Sequence, residues 1–426
     1  MPSSSPSSSP KSSQVQQRTV ETHQLANGLT LLAEPVATAE SAAFTLMVPC
    51  GSSNDPSNRL GLSNMLCDMV MRGAGDRDSR ALINDLEVLG VERGESVGIS
   101  QTSFSGATLA DNLLDALTIY ADIVLRPQLP ADQLEAAKMV CLQEINGVED
   151  EPSQKLMDEL RRRTYLDPWG RTSHGDEASV EASTAKDVKS QWLAHYRPNG
   201  AILGVAGKID WDQLVELVES QFGAWKPVDA TKPTEKKPQE SSPHTDFEGN
   251  QCHIGISFPS VPYSDPNYLQ AWAAVGVLSG GMSSRLFTEV REKRGLCYSV
   301  SASLQTQRER ASVMCYAGTT SERAQETLDV TYAELIRLRE GVLQSELQRL
   351  KARIKSGLIM QQESTSARSG SIARDWYHLG RVRTLEELGR QVDALSALSI
   401  NAFLDEHPPA GFTFATLGPQ ALNIPA

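Results

Sequence analysis

One pair of residues in this 426-residue chain has the types and spacing for chemistry. Arg291 and Tyr298 stand seven positions apart in VREKRGLCYSV, with Gly295 between them to end a helix. Arg supplies a permanent forked positive charge and Tyr a directional O–H donor. Read alone, the pair is more simply an Arg on a solvated helix face and a Tyr half-buried in a strand. The metal-ligating types offer less. None of the seven histidines (His23, His174, His195, His244, His253, His378, His407) is paired at metal-ligand spacing. The six cysteines (Cys50, Cys67, Cys141, Cys252, Cys297, Cys315) are widely spaced, with no C-x-x-C, which argues against a zinc ribbon or a disulfide scaffold. Cys67 has no histidine nearby in sequence to make it a nucleophile. Gly280-Gly281 lacks the G-x-x-x-x-G-K-[ST] context of a phosphate loop and follows a helix pattern, so it reads as a helix stop.

These residues need elements to hold them. From Thr19 to about Trp225, strand-like and helix-like patterns alternate. THQLANGLTLLAEP reads as a hairpin turning at Asn27-Gly28. SAAFTLMVPCGS reads as a strand, and GLSNMLCDMVMRGAG as a helix with a Gly stop. SRALINDLEVLGV is an amphipathic helix, and VGISQTSFSGATL reads as two strands or a strand and a turn. Two long helices follow in ADNLLDALTIYADIVLRP and PADQLEAAKMVCLQEINGVEDEP. Residues 226–250 are poor in large apolar side chains and rich in Pro, Lys, Glu and Ser, a linker composition. The order then resumes: strand QCHIGISFPSV, helix PNYLQAWAAVGVLSG, a strand pair in LCYSVSASLQTQRERASVMCYAGT, and two more long helices. The repeat implies an internal duplication, an α+β chain in which each half buries a helix layer on a sheet. The expected boundaries are a disordered tail over 1–18, an N-terminal domain over 19–225, a linker over 226–250 and a C-terminal domain over 251–426.

Composition sets outer limits. The length exceeds what one core organises. With 40 basic against 53 acidic side chains and a net charge of −13, nucleic-acid binding is disfavoured, because phosphate neutralisation needs clustered Lys and Arg. No apolar run approaches the roughly 20 residues of a membrane span. MPSSSPSSSPKSSQVQQ has no apolar core of a secretory signal and reads as an unstructured tail. A reducing cytoplasm is the expected location.

Three segments carry a specific resemblance: GLSNMLCDMVMRGAG, KMVCLQEINGVEDEP and GGMSSRLFTEVREKRGLCYSVSAS. With LAHYRPNGAILGVAGKID and the closing GRVRTLEELGRQVDALSALSINAF, they resemble the M16 (insulinase, pitrilysin, mitochondrial processing peptidase) family from residue 19 to the C-terminus. The resemblance implies two LuxS/MPP-like metallohydrolase domains in one chain, forming half of a clam-shell. An active member carries H-x-x-E-H, whose two histidines share a helical face and bind Zn²⁺ while the Glu activates water. Here the matching residues are Asn64-Met65-Leu66-Cys67-Asp68, so both imidazoles and the general base are missing. Glu144 falls 76 positions after Asp68, where the family's third ligand falls, and Ala137 replaces the carboxylate seven residues before it. Asn64, Asp68 and Glu144 offer hard oxygens, poor competitors for zinc.

The Arg291/Tyr298 segment, by contrast, keeps the family pattern. The resemblance implies that the two residues reach the zinc site of an opposing subunit and bind the substrate carbonyl oxygen, and that Gly280-Gly281 adjoin the substrate chamber. The expected function is therefore a non-catalytic subunit of a heterodimeric zinc metallopeptidase, inactive alone, with peptide as substrate. No metal is expected in this chain, and zinc is expected in an H-x-x-E-H-bearing partner. Two alternatives stand beside it: an inert structural or binding homodimer of the processing-peptidase/core-protein type, and an autonomous hydrolase with an atypical metal site.

Overall fold

The computed structural model describes residues 19–230, 232–237 and 242–425. The stretch 1–18, expected to be an unstructured tail, and part of the linker stretch lie outside the described residues. Glu21–Gln24 (β1) and Thr30–Pro35 (β2) form the expected hairpin, and Ser41–Val48 (β3) follows. The first long helical segment is Leu62–Val70 (α1). A small ribbon of Gly73–Ala74 (β4) and Arg77–Asp78 (β5) leads to Ser79–Val88 (α2). Glu92–Val97 (β6) and Thr102–Leu109 (β7) pair antiparallel. Then come Leu113–Leu125 (α3), Leu134–Glu149 (α4), Pro152–Thr164 (α5), Glu177–Ala182 (α6) and Ala185–His195 (α7). Ile202–Gly207 (β8) and Trp211–Phe222 (α8) close this half. Its sheet has the order β1-β2-β8-β3-β7-β6.

The second half repeats the plan with His244–Asp246 (β9), Gln251–Ser260 (β10) and Tyr268–Ser279 (α9). A π-helical turn, Phe287–Glu292, precedes Cys297–Thr306 (β11) and Ala311–Thr320 (β12). The helices Ala324–Arg337 (α10), Gln344–Gln362 (α11), Thr365–Leu379 (α12), Leu385–Ala394 (α13) and Ala397–Glu406 (α14) follow, and Thr413–Gly418 (β13) ends the fold. The sheet order is β11-β12-β10-β13-β9. The internal duplication read from the sequence is the architecture observed.

The central strands of each sheet are buried on both faces, and alternation along β2 shows why. Leu31 and Ala33 enter the large core formed with α1, α3 and α8, while Leu32 points the other way against Ile372 and Ala373 of α12. A strand covered on both sides is apolar at successive positions, as Leu31, Leu32 and Ala33 are. The covering helix on that second face comes from the other half. Reciprocally, α5 of the first half covers the second sheet, where Leu156 and Leu160 pack with Met314, Ala415 and Leu417. The two halves thus exchange equivalent helices.

Polar contacts lock the exchange. Thr164 meets Ser257 at 2.6 Å, and Tyr165 meets Ser312 at 2.7 Å. Arg368 of α12 donates to both carboxylate oxygens of Glu34 on β2, and both side chains are almost fully buried. The described linker residues are also tied down. The Asn199 amide donates to the carbonyl of Val228 at 2.8 Å, Lys236 and Asp167 exchange backbone hydrogen bonds, and β9 joins the second sheet beside β13.

Candidate functional site

Helix α1 begins where Asp55 captures its free N–H groups. One carboxylate oxygen accepts from the N–H of Gly61, and the other from the N–H and hydroxyl of Ser63. Four N–H groups at a helix start lack intrahelical partners, and a buried carboxylate here satisfies two of them. Asp55 is 5% exposed, and its burial pushes its pKa up to about 6 in spite of the hydrogen bonds that pull it down. Nothing in the sequence singled this residue out.

The helix so anchored presents Asn64 and Asp68, one turn apart, toward α4. Asn64 donates its amide to Glu144 at 2.6 Å and lies 3.9 Å from the Cys141 sulfur. Asp68 is taken by Arg72, whose Nε donates at 2.5 Å and whose Nη2 donates at 3.3 Å. Cys67 turns into the core, where burial drives its thiol pKa far above the ordinary value and the neighbouring carboxylates push it further. Cys141 is held up to about 12 in the same way, first by burial and then by Glu144 and Asp68.

The structure therefore brings Asn64, Asp68 and Glu144 into one neighbourhood but does not make a zinc centre of them. An N–H donor faces Glu144, a guanidinium occupies Asp68, and the nearest thiols are neutral; each removes a ligand that zinc would need. Among the described residues, no group of three or more His, Cys, Asp or Glu side chains is arranged to hold a metal ion. Arg72 supplies in fixed form the positive charge that the carboxylate requires.

Arg291 and Tyr298 lie in the other half. Arg291 sits in the π-helical turn with its guanidinium over the ring of Phe287, 5.0 Å from the centroid. Its guanidinium makes no hydrogen bond or ion pair among the described residues, whereas its neighbours Lys293 and Arg294 are both paired with Glu289. The chain then reverses at Gly295, whose φ of +58° suits a residue without a Cβ. Arg323 clamps this reversal by donating to the carbonyls of Gly295 and Arg294.

Tyr298 occupies a β-bulge on the edge strand β11. The pairing with β12 steps from Cys297↔Thr319 to Ser299↔Gly318, so Tyr298 has no partner in register. A bulge re-aims its side chain, and here the ring swings back across Gly318. A Cβ on Gly318 would stand 2.5 Å from the Tyr298 hydroxyl oxygen. Tyr298 remains 50% exposed. Its hydroxyl has two loose neighbours, the Gln251 amide oxygen at 3.4 Å and the Tyr316 hydroxyl at 3.5 Å. Tyr316 in turn meets Nδ1 of the buried His253 at 2.8 Å. Neither Tyr316 nor His253 was a candidate from the sequence. The signal lay in cross-strand register, which pairs His253 with Gly318 and sets Tyr316 diagonally beside it.

Gly280 and Gly281 end α9 as expected of a helix stop, with the Gly280 N–H closing on the carbonyl of Gly276. They adjoin a cleft of about 480 Å³ between α9, β11 and α11, lined by Trp272, Gly280, Leu304, Arg353 and Leu358.

Known proteins carry the same plan. A family model for the insulinase peptidases (family M16) matches residues 31–176, and one for the peptidase M16 inactive domain matches residues 182–354. An uncharacterized zinc protease of Mycobacterium tuberculosis is 28% identical, over 93% of this chain and 92% of its own length. The crystal structure of a peptidase M16 inactive domain from Pseudomonas fluorescens superimposes with a TM-score of 0.84 at 24% identity, covering 96% of this chain and 99% of that one. A chain of complex III2 from Candida albicans superimposes with a TM-score of 0.78 at 17% identity, covering 94% and 96%. Both structural likenesses speak to the fold.

Proposed function

The chain belongs to peptidase family M16, and on that premise we propose that it is the non-catalytic subunit of a heterodimeric zinc peptidase. It closes against an H-x-x-E-H-bearing partner, helps enclose a peptide, and contributes Arg291 and Tyr298 to the partner's site. One observation carries the reading. Arg291 and Tyr298 are exposed, are built on a clamped turn and a bulge, and are left without firm partners, while the α1/α4 site is closed by its own hydrogen bonds. A protein that spends structure on holding two donors uncommitted has a use for them elsewhere.

In this reading the metal and its water belong to the partner. This chain's residues bind the scissile carbonyl oxygen: the guanidinium supplies charge, the phenol one directed hydrogen bond, and both gain strength as negative charge develops. The cleft beside Gly280-Gly281 belongs to the chamber wall. All six cysteines are free and buried, which supports a reducing cytoplasm as the place of action.

The test is peptide cleavage by the complex carrying Arg291→Ala and Tyr298→Ala together. Loss of turnover supports the reading, and undiminished cleavage sinks it. A second reading, an inert scaffold, is favoured by the α1/α4 site being closed by its own hydrogen bonds. It expects a stable homodimer with no gain in peptide cleavage when any H-x-x-E-H relative is added.

A further inference from the structure

We propose that Tyr316 and His253 are positioning residues for Tyr298, fixing the direction of its hydroxyl proton so that it points out toward a bound carbonyl oxygen. The proposal rests on the role given to Tyr298 above and adds two residues to it.

The three side chains lie in line on one face of the second sheet. His253 Nδ1 is 2.8 Å from the Tyr316 hydroxyl, which is 3.5 Å from that of Tyr298. Gly318 lies opposite His253 in register, and its missing side chain is the space into which both phenols fold, with a Cβ 2.5 Å from one hydroxyl and 2.7 Å from the other. The Tyr298–Tyr316 separation of 3.5 Å exceeds a well-formed O–H···O hydrogen bond and must shorten when substrate arrives, as catalytic contacts often do.

Two proton arrangements fit such a chain. In the first, His253 carries its proton on Nδ1 and donates to Tyr316, Tyr316 donates to Tyr298, and the Tyr298 proton faces outward. In the second, His253 is protonated on Nε2, Tyr316 donates inward to Nδ1, and Tyr298 turns its own proton toward Tyr316 and away from substrate. His253 Nε2 decides between them. It is buried and has no hydrogen-bond partner among the described residues. A buried, unpaired N–H is rarer and costlier than a buried, unpaired lone pair, so the proton sits on Nδ1. Burial also lowers the His253 pKa, which keeps the ring neutral and makes the choice of tautomer meaningful. At rest the Tyr298 proton is donated to the Gln251 amide oxygen, an exposed group that a substrate carbonyl can replace.

A donor chain of this kind polarises its terminal O–H, strengthening it as a donor. The effect is smaller than that of the terminal donor itself. Tyr316→Phe is therefore expected to lower kcat by about three- to tenfold with KM unchanged, against roughly 10²-fold for Tyr298→Phe. The added factor must vanish in the Tyr298→Phe background, because a residue that acts through Tyr298 has nothing left to act on.

The experiment has two arms. In the isolated chain labelled with [¹⁵N]histidine, His253 should show a pyrrole-like Nδ1 and a pyridine-like Nε2, and Tyr316→Phe should disturb that pattern. The reverse pattern overturns the proposal. In the complex with its H-x-x-E-H partner, kinetics are measured for Tyr316→Phe, Tyr298→Phe and the double variant. An equal loss from Tyr316→Phe in both backgrounds makes Tyr316 merely structural and also overturns the proposal. If Tyr298→Phe itself leaves turnover unchanged, the role of Tyr298 fails, and the positioning role fails with it for that separate reason.

Discussion

Gly318 lies beneath the phenol of Tyr298, and any side chain there must displace it. A Cβ at this position would stand 2.5 Å from the Tyr298 hydroxyl oxygen, closer than any real contact. Gly318→Ala is thus expected to push the phenol off the sheet. Because the displaced group is the end of a half-exposed side chain, the cost in stability should stay within about 1 kcal/mol. A displacement near 1 Å costs on the order of 10²-fold in turnover of the complex. Thermal unfolding and steady-state kinetics on the same preparation check both numbers.

Arg291 separates function from stability more cleanly. It is exposed and lacks an ion pair among the described residues, so Arg291→Ala should change this chain's own stability by no more than about 0.5 kcal/mol. Turnover of the complex should fall by roughly 10²–10³-fold. Arg291→Lys should recover only part of that loss, because an ammonium cannot present a planar fork. Unfolding midpoints beside kcat for the three forms provide the measurement.

The exchange of helices makes its own prediction. Glu34 and Arg368 are buried at 1% and 3% exposure and join the first sheet to a helix of the second half. Removing one partner leaves a buried charge, so Arg368→Ala should destabilise by about 3–5 kcal/mol. Replacing both with apolar side chains of similar volume, Glu34→Leu with Arg368→Met, should restore most of it. Denaturant unfolding of the single and double variants tests this.

Asp55 gives the fold a pH dependence. A carboxyl whose pKa is higher folded than unfolded binds its proton more readily in the folded chain. Its contribution is present in full below pH ~4 and is lost as pH rises through about 6, a span on the order of 2–3 kcal/mol. Asp55→Asn should flatten the stability profile between those limits. It should also cost about 1–3 kcal/mol throughout, since one amide nitrogen now meets an N–H donor at the start of α1. Unfolding free energies of both proteins across that pH range provide the comparison.

How far the sequence foretold these features depends on the distance over which each is decided. Helices α1 and α4 and the placing of Asn64, Asp68 and Glu144 on them were legible, because hydrophobic periodicity is a local signal. The Asp68–Arg72 pair was legible in principle as an i,i+4 contact. Strand β6, ERGESV, falls almost entirely between the helix read in SRALINDLEVLGV and the strands read in VGISQTSFSGATL, because an edge strand with one covered face carries charges that mimic a loop. The π-helical turn at Arg291 left no mark in VREKRG. The crossing of α5 and α12 was invisible, since an amphipathic face fits either sheet equally well. The line from Tyr298 through Tyr316 to His253 depends on register between strands some 60 residues apart, and a slip of one residue would have dispersed it.

The central claim is that this chain lends donors to a metal site it does not contain. Zinc content and peptide turnover, measured for the isolated chain and for a 1:1 complex with an H-x-x-E-H-bearing partner, test it most directly. The account predicts no stoichiometric zinc and no cleavage for the isolated chain. For the complex it predicts one zinc per pair, with cleavage that requires both chains. Stoichiometric zinc or cleavage in the isolated chain, or full activity of the partner without it, would contradict the account.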